Sequence, residues 1–500
     1  MQMTDFQNKI QHYMDAGFPI LYLNTYEESK AEDSVKHASG GSPILVWDGT
    51  DRICDISREP AATKYETSAF TLAEVLDDRL DYHKRQVLLL KNIDTFMNDP
   101  AVLARLKKIA EQTHAGLLDT TIVILSPVLQ LPNEIEKYIT VIEMDYLTPR
   151  EIQDVIQNFT RDQEAVITKE LEASLTNAFK GLSEFEIQNI LQLAYAESGE
   201  LTTSQISLIF QQKQQMIKKA GILEMIPLKE SVEDIGGLAN LKDWLSRKAK
   251  VFSSMDQAKA FGVDVPKGVL IAGVPGCGKS LSAKATAQLF RVPLLRLDMG
   301  RLMGKYVGES EANMRRAIEL AEAISPCVLW IDELEKAFAG IGGSGSGAEV
   351  TTRLFGSFLT WLQEKESPVF VVATANEIVK LPPELLRKGR MDEIFYVGLP
   401  QREERRKIFE IHIRKRRPKD LAGIAMDRLL DKTDGYSGAD IEGVVRESVE
   451  AAYTEGRDKV TTEDILSVIQ NTHCLSEIMK EPINRMEQEY KARKFKNASR

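Results

Sequence analysis

The sequence predicts an α/β protein with a parallel sheet in each half, and three observations support this. Short apolar runs alternate with helical patterns along both halves, which is typical of parallel α/β sheets. One apolar run, Gly268–Gly273, leads into a glycine-rich segment, and a helical pattern follows over residues 281–290. The apolar runs of the two halves also line up at an offset of about 250 residues.

Bulk properties narrow the possible classes of protein. A chain of 500 residues is too long for one core, so two to four domains are expected. The net charge of −10 disfavours a sequence-independent nucleic-acid binder, because such proteins present a basic surface. The four cysteines are scattered and no secretion signal is visible, so we expect a cytoplasmic protein. We expect no membrane span, because no apolar run approaches the ~20 residues that a span needs.

The first half is predicted to begin with an α/β domain over residues 1–167. Its predicted strands are residues 18–23, 42–47, 86–90 and 121–125. Residues 168–225 have no strand pattern and are predicted to form a helical segment that still belongs to the first half.

The two halves align at several positions but differ in chemistry. Val87-Leu-Leu-Leu-Lys-Asn92 lines up with Val328-Leu-Trp-Ile-Asp-Glu333, so Lys91 and Asn92 stand where the second half has two acids. The first half also lacks a glycine-rich loop. We favour the interpretation that it keeps the fold of the second half without its chemistry. The alternative is an unrelated α/β domain with similar buried strands, and a different strand order would decide for it.

The glycine-rich segment predicts a phosphate-binding loop. Gly273-Val-Pro-Gly-Cys-Gly-Lys-Ser280 fits the pattern G-x-x-x-x-G-K-[ST] between a strand and a helix. Backbone N–H groups and the helix N-terminus would cradle phosphates, Lys279 would reach the β- and γ-phosphates, and Ser280 would hold Mg²⁺. The predicted nucleotide-binding residues are Gly273, Val274, Pro275, Gly276, Cys277, Gly278, Lys279, Ser280 and Leu281. Cys277 is either a small filler, which we favour, or a thiol open to oxidation.

Two acids end the strand that begins at Cys327. Carboxylates at the carboxyl edge of a parallel sheet lie where ligands bind, so Asp332 is predicted to hold Mg²⁺. Glu333 is predicted to act as the general base on an attacking water. Asn376 ends the next strand and would contact the γ-phosphate or the water, or else simply start a loop.

Residues 232–475 resemble the motor domain of the AAA (AAA+) family of ATPases. The resemblance rests on Asp234-Ile-Gly-Gly237, the glycine-rich loop, Asp332-Glu333, Asn376, Arg387 with Arg390, and Gly435-Tyr-Ser-Gly-Ala-Asp440. It implies a large subdomain over 226–400, a helical lid over 401–475 and hydrolysis of ATP with Mg²⁺. It also implies that the nucleotide is bordered by Asp234, Ile235, Gly236, His412, Gly438 and Ala439.

The resemblance further implies a ring, usually a homo-hexamer. Arg387 and Arg390 would then act as fingers in the neighbour's site, since guanidinium groups stabilise charge on a transferring phosphoryl group. On the residues alone, these arginines are a charged loop. The whole chain resembles bacterial and chloroplast-encoded AAA proteins with an atypical first half, which implies an ATPase but no particular substrate.

A central-pore loop is implied at Met303-Gly-Lys-Tyr-Val-Gly-Glu-Ser310, where Lys305, Tyr306 and Val307 would contact an unknown protein client. Alternatively, Tyr306 packs within its own subunit. The favoured function is an ATP-driven motor that remodels a protein. The alternative is an ATP-switched scaffold or regulator whose first half binds a partner without threading. Residues 476–500 are predicted to be a basic helical tail, either solvated, as we favour, or partner-binding.

Overall fold

The computed structural model describes residues 5–25, 27–49, 53–57, 71–80, 82–127, 129, 131–144, 146–202, 206–228, 230–302, 309–337, 346–387 and 389–500. The chain divides into two compact units, Met1–Thr203 and Ser204–Arg500. Among the described residues, no helix is both long enough and apolar enough to span a membrane.

The first unit is a parallel sheet with helices on both faces, followed by a group of helices. Its described strands are β1 (Ile20–Asn24), β2 (Ile44–Trp47), β3 (Ile53–Asp55), β4 (Gln86–Lys91), β5 (Thr120–Ser126) and β6 (Ile139–Glu143). Its described helices are α1 (Asp5–Asp15), α2 (Glu28–Ala38), α3 (Leu72–Leu80), α4 (Pro100–His114), α5 (Pro149–Asp162), α6 (Lys169–Phe179) and α7 (Glu184–Ser198).

The central strands of this sheet are buried on both faces, which is why they are almost wholly apolar. The strand order is β3-β2-β4-β5-β1-β6, with only β3 antiparallel to its neighbour among the described strands. One apolar cluster packs on each face of the sheet, one around Leu88 and Ile122 and the other around Leu89 and Val123.

The second unit contains a larger sheet and a separate helical subdomain. Its described strands are β7 (Leu223–Ile226), β8 (Gly268–Gly273), β9 (Leu294–Leu297), β10 (Cys327–Ile331), β11 (Val369–Ala375), β12 (Glu393–Val397) and β13 (Lys496–Asn497). Its described helices are α8 (Ile206–Ala220), α9 (Ala239–Ser253), α10 (Met255–Ala260), α11 (Lys279–Phe290), α12 (Met299–Leu302), α13 (Glu309–Ile324), α14 (Leu334–Ala337), α15 (Ser346–Glu364), α16 (Arg402–Arg416), α17 (Met426–Lys432), α18 (Gly438–Thr454), α19 (Thr462–Gln470), α20 (Leu475–Ile478) and α21 (Lys480–Arg493).

The sheet of the second unit has the order β13-β12-β8-β11-β10-β9-β7, and only β7 is antiparallel among its described strands. Apolar clusters cover both of its faces, and helices α16 to α19 enclose a core of their own around Phe409 and Ile441. The predicted α/β fold, with a parallel sheet and a helical lid, is therefore confirmed.

The two sheets share one topology. Five strands are common to both sheets once the edge strands β3, β7 and β13 are left out. Numbered along the chain, these five strands follow the order 2-3-4-1-5 in both units, as β2-β4-β5-β1-β6 and as β9-β10-β11-β8-β12. This is the strand order that the hypothesis of a shared fold requires. The alignment of residues 87–92 with residues 328–333 also paired corresponding strands, since β4 and β10 are the third common strands of the two sheets.

The helices after the first sheet repeat the pattern of the lid. Gly181-Leu-Ser-Glu-Phe-Glu-Ile187 precedes and begins α7, as Gly435-Tyr-Ser-Gly-Ala-Asp-Ile441 precedes and begins α18. The two glycines have φ values of 80° and 79°. Each following serine caps its helix in a capping box, with Glu186 in the first unit and Asp440 in the second. The first unit therefore contains a lid-like subdomain as well as a sheet.

One domain boundary and the end of the chain differ from what was predicted. The sequence assigned residues 168–225 to the first half, but α8 and β7 lie in the second unit, where β7 forms the sheet edge beside β9. The helix predicted in the tail is present as α21 and is mostly exposed, whereas the last few residues pack against the sheet. The last residues form β13 beside β12, Ala498 is fully buried, and Asn240 Nδ2 donates to the carbonyls of Asn497 and Ser499.

Candidate functional site

The glycine-rich loop joins the buried strand β8 to helix α11, which begins at Lys279. Lys279 Nζ donates to the carbonyl oxygens of Gly273 and Val274, both at 2.9 Å. Burial lowers the pKa of Lys279 to about 8, so its ammonium group lies where an anion would stabilise its charged form. Burial also raises the pKa of the Cys277 thiol to about 11, which disfavours its thiolate form at neutral pH.

A hydroxyl and a carboxylate meet beside this loop. Ser280 Oγ donates to Asp332 Oδ1 at 3.2 Å, and Thr374 Oγ1 donates to the same oxygen at 2.5 Å. Thr374 Oγ1 also accepts a hydrogen bond of 3.0 Å from the backbone N–H of Glu333. Ser280 and Asp332 supply the oxygen donors that Mg²⁺ prefers, so the residues present fit that ion.

The carboxylate of Glu333 is positioned by the backbone conformation of this residue and by contacts with Asn376 and Lys336. Glu333 has a φ of 49°, in the left-handed region that non-glycine residues seldom adopt. Asn376 Nδ2 donates to Glu333 Oε1 at 3.2 Å, and Lys336 Nζ lies 2.5 Å from Glu333 Oε2. The backbone N–H of Asn376 donates to Glu335 Oε1 at 3.0 Å, which fixes the end of β11 against helix α14.

The lid touches the glycine-rich loop directly. The backbone N–H of Ala439, in the first turn of α18, donates to the carbonyl of Gly276 at 2.9 Å. Gly276 has a φ of 70°, and a Cβ there would lie 2.8 Å from the Cβ of Ala439, so only glycine allows this approach. A change in the position of the lid therefore has to change the loop as well.

The opposite end of the site is formed by Gly236 and helix α16. A Cβ on Gly236 would lie 2.3 Å from Ile408 Cγ1, so the close approach of this segment to the lid requires glycine. His412 lies one turn further along α16, and burial lowers its pKa. Its Nδ1 is 3.7 Å from Glu442 Oε1, and Arg416 Nη2 donates to the same carboxylate oxygen at 2.9 Å.

These groups line one pocket of about 460 Å³. It brings together most of the residues predicted from the sequence, which are Asp234, Ile235, Gly236, Pro275, Gly276, Cys277, Gly278, Lys279, Ser280, Leu281, Asp332, Glu333, Asn376, His412, Gly438 and Ala439. Gly273 and Val274 do not line it, although both accept hydrogen bonds from Lys279.

The two arginines predicted as fingers lie elsewhere. Arg387 is exposed, Arg390 is half-buried, and neither lines the pocket of its own chain. Buried Nη1 of Arg390 has no hydrogen-bond partner within the described residues. The predicted pore residues Lys305, Tyr306 and Val307 lie outside the described part of the chain.

Comparison with known sequences identifies the family. The model of the ATPase family associated with various cellular activities (AAA) matches residues 269–399, and an AAA+ lid domain matches 420–467. The AAA domain-containing protein ycf46 of Guillardia theta is 38% identical over 492 residues, which cover 97% of this chain and 95% of that protein. The chain belongs to the AAA family of ATPases.

Other matches extend this assignment. Models of the N-terminal and second domains of SpoVK-like AAA ATPases match residues 6–144 and 150–220. The ycf46 protein of Pyropia yezoensis is 36% identical, with 97% of each chain covered. A cell division cycle protein 48 homolog from Archaeoglobus fulgidus is 30% identical over 65% of this chain and 46% of its own length. As an AAA ATPase, this chain binds and hydrolyses ATP.

Four residues that line the pocket were missed by the sequence interpretation: Thr374, Ile408, Ile411 and Glu442. A threonine inside the otherwise apolar β11 was a usable signal, because a buried hydroxyl needs a partner. Ile408 and Ile411 follow an ordinary helical pattern, and Glu442 is one acid among many. Nothing in the sequence separates those three from core and surface residues.

Proposed function

We propose that this ATPase is an Mg²⁺-dependent ring motor, a homo-hexamer that remodels a protein client. The observation that supports this most strongly is the hydrogen bond between Ala439 of the lid and Gly276 of the glycine-rich loop. Because nucleotide phosphates would lie against that loop, hydrolysis would change the lid contact and so move the two subdomains. Movement of this kind is what a remodelling motor needs.

In this proposal, several polar side chains that line the site have a role in ATP hydrolysis. Lys279 would contact the β- and γ-phosphates, and Ser280 and Asp332 would hold Mg²⁺, which would supply positive charge beside the transferring phosphoryl group. Glu333 accepts the proton of the attacking water, held in place by Asn376. Thr374 orients both acids, since it bonds to the carboxylate of Asp332 and the backbone of Glu333.

Arg387 and Arg390 act in the site of the neighbouring subunit under this proposal. Their distance from the pocket of their own chain supports that arrangement, because a finger in trans has no reason to line its own site. A head-to-tail ring in which each subunit completes the next one supplies the geometry.

Mixing two inactive variants tests the shared site. A subunit with Arg387→Ala retains the general base Glu333, and a subunit with Glu333→Gln retains the arginine finger Arg387. In a mixed ring, a complete site therefore forms wherever a Glu333→Gln subunit supplies its finger to an Arg387→Ala subunit. At equal amounts we expect recovery of about a quarter of the wild-type ATPase rate. The control mixture replaces Arg387→Ala with Arg428→Ala, an exposed lid arginine, and its rate should follow the amount of Arg428→Ala present. Co-assembled rings with no recovery would exclude completion in trans.

The remodelling step depends on the proposed pore residue Tyr306. Tyr306→Ala should retain ATPase activity within about threefold, while losing any unfolding of a client captured with the Glu333→Gln variant. Tyr306→Phe is the matched control, because it keeps the aromatic ring.

The alternative function is an ATP-switched scaffold whose first unit binds a partner without threading. The catalytically different first unit favours it, since Lys91 and Asn92 occupy the positions of Asp332 and Glu333. Full client processing by Tyr306→Ala, together with nucleotide-dependent partner binding, would support this alternative over threading.

A further inference from the structure

A second pocket, of about 370 Å³, lies in the lid of the second unit. It is built at the C-terminal ends of α16 and α18 and from the turn that precedes α19. We call it the lid pocket, and its basic lining residues are Arg416, Arg417, Arg446, Arg457 and Lys459. Glu450 is the acid in its lining, so positive groups predominate in a protein whose net charge is −10.

Three of the five cations pair with carboxylates that are not among the lining residues of the lid pocket. Arg416 donates to Glu442 at 2.9 Å, and Arg417 donates to buried Asp420 at 2.6 Å. Arg457 pairs with Asp464. These partners fix the direction of the guanidinium groups, which lowers the entropy lost when an anion binds.

The other two cations, Arg446 and Lys459, are exposed, and neither forms a hydrogen bond or close ion pair with another described residue, although Lys459 interacts electrostatically with Asp420, the partner of Arg417. Both therefore add positive charge at the exposed part of the pocket lining. Val449, Ala452 and Val460 form an apolar floor, and the ring of Tyr453 is 82% exposed beside them. Guanidinium forks suit phosphate oxygens, and an exposed ring on an apolar floor offers a stacking surface.

Arg416 joins the lid pocket to the nucleotide pocket. Arg416 is a lining residue of the lid pocket, while its Nη2 donates to Glu442 and its Nη1 lies 3.3 Å from His412 Nδ1. Both Glu442 and His412 line the nucleotide pocket. An anion that draws Arg416 toward the lid pocket would weaken these two contacts and change the base end of the nucleotide site.

We propose that the lid pocket binds an anion carrying several phosphate groups, and that Arg416 couples this binding to the nucleotide site. The phosphate groups are either free polyphosphate or carried on a nucleoside whose base stacks on Tyr453. Binding at the lid pocket stands independently of the proposed motor function. The coupling rests only on the ATP site, so failure of remodelling or of the ring would leave it intact.

Binding is tested by calorimetric titration of tripolyphosphate into the full chain saturated with ADP, without divalent cations, so that the glycine-rich loop is occupied. We expect one tripolyphosphate per chain, with binding at least tenfold weaker in the double variant Arg446→Glu, Lys459→Glu. The double variant Lys407→Glu, Lys432→Glu is the matched control, because it makes the same charge change at exposed lid residues outside both pockets. Absence of binding, or equal binding by the double variant, would overturn the proposal.

The source of the phosphate groups is resolved by a second ligand and one substitution. Adenosine 3′,5′-bisphosphate should bind ADP-saturated protein more tightly than pyrophosphate if a nucleoside is the ligand, and Tyr453→Ala should remove that difference. Equal binding of the two ligands would assign free polyphosphate. If a glutamate decapeptide bound more tightly than any phosphate compound, the pocket would be a protein-binding surface and the proposal would be wrong.

Coupling is tested through the affinity for a fluorescent ADP analogue. In the wild type, tripolyphosphate should change the affinity for the ADP analogue by about fivefold or more beyond the change seen in the double variant Arg446→Glu, Lys459→Glu. The double variant measures the part of the change that comes from direct competition at the glycine-rich loop. Arg416→Lys keeps the charge but not the fork to Glu442 and His412, so it should retain tripolyphosphate binding and lose the additional change. If Arg416→Lys keeps the full change, Arg416 does not carry the coupling.

Discussion

The two units share the same order of five strands, but the residues at the end of the third common strand differ. In the second unit β10 is followed by Asp332 and Glu333, whereas in the first unit Lys91 ends β4 and Asn92 follows. Glu333 and Asn92 both have left-handed backbones, with φ values of 49° and 55°. The backbone turn has therefore been kept where the carboxylates are missing, which shows that it serves the fold as well as the chemistry.

The phosphate-binding end differs more strongly. Five residues separate β8 from α11, but only three separate β1 from α2, and α2 begins beside Glu27 and Glu28. Carboxylates at that helix end repel phosphate. The difference extends across the units, since residues 1–203 contain 33 acidic and 18 basic residues, while residues 204–500 contain 41 and 46.

Charged side chains join the lid-like helices of the first unit to its sheet domain. Lys30 of α2 pairs with Glu151 of α5 at 3.2 Å, and Lys91 pairs with Glu32. Glu184, at the position of Gly438, is partly buried near Lys30, and this burial raises its pKa. In the second unit the lid would contact a bound nucleotide, whereas in the first unit the lid-like helices contact the sheet domain through an ion pair of the protein itself.

The largest expected difference between the units is at the general base. Glu333→Gln should lower the ATPase rate by a hundredfold or more, because the amide cannot accept the proton of the attacking water. Asn92→Gly, which keeps the left-handed turn in the first unit, should leave the rate within about twofold. Steady-state phosphate release measures both. A large loss in Asn92→Gly would mean that the first unit takes part in hydrolysis.

The next comparison concerns the ends of the fourth common strand, Asn376 and Ser126. Asn376→Ala removes the hydrogen bond to Glu333 and should reduce the ATPase rate about tenfold to a hundredfold. Ser126→Ala removes a hydrogen bond to Asp94, and should lower the unfolding free energy of the first unit by about 1 kcal/mol without changing hydrolysis. Denaturant titration and phosphate release separate the two effects. Equal ATPase losses would contradict the division of roles.

A smaller effect is expected from pH, through Lys279. Its folded pKa of about 8 lies below the ordinary 10.5, so the ammonium group loses its proton as pH rises through 8. ADP affinity should fall about tenfold between pH 7 and 9.5. The contribution of this residue to folding has the opposite sign, and rises with pH between 8 and 10.5, because the unfolded chain holds the proton more tightly.

Lys279→Arg is the control for this pH effect, since a guanidinium group stays charged and the dependence should largely disappear. Lys91→Ala, in the first unit, should leave the pH dependence of the wild type in place. A pH dependence that survives in Lys279→Arg would assign it to another group.

The smallest effect concerns the ion pair that holds the lid-like helices of the first unit. A double-mutant cycle on Lys30 and Glu151 should give a coupling energy of about 0.5 to 1 kcal/mol, because both side chains are largely shielded from solvent. The more exposed pair of Lys36 and Asp33 should give almost none. The coupling should be the same with and without ATP, and a nucleotide-dependent value would show that the first unit still responds to the ligand.

The sequence predicted those features that depend on fixed spacing or on long apolar runs. The glycine-rich loop, the acid pair and the central strands belong to this group. The short edge strands were missed, because Lys496-Asn497 has no strand signal of its own and is stabilised by its neighbours. Of the lid-like helices, α6 and α7 were predicted as helices but not as part of a lid, since Gly181, Ser183 and Glu186 form a pattern too short to be distinctive.

Residues brought together from distant segments were also beyond sequence reasoning. Thr374 acquires its role from contacts with Asp332 and Glu333, and the lid pocket collects cations from two helices and a turn. The basic run over residues 414–417 was visible, but basic residues are common at the ends of helices, where the dipole stabilises them.

The edge strand β7 has a practical consequence for dividing the molecule. It pairs with β9 over four residues, and Ile217, Leu223 and Met225 belong to the core of the second unit. An ATPase fragment that begins at residue 227, next to the predicted start of the large subdomain at residue 226, would leave the apolar strand β9 with an open edge that promotes aggregation. A fragment that starts at residue 206 keeps α8 and β7, and should remain monodisperse under the same conditions.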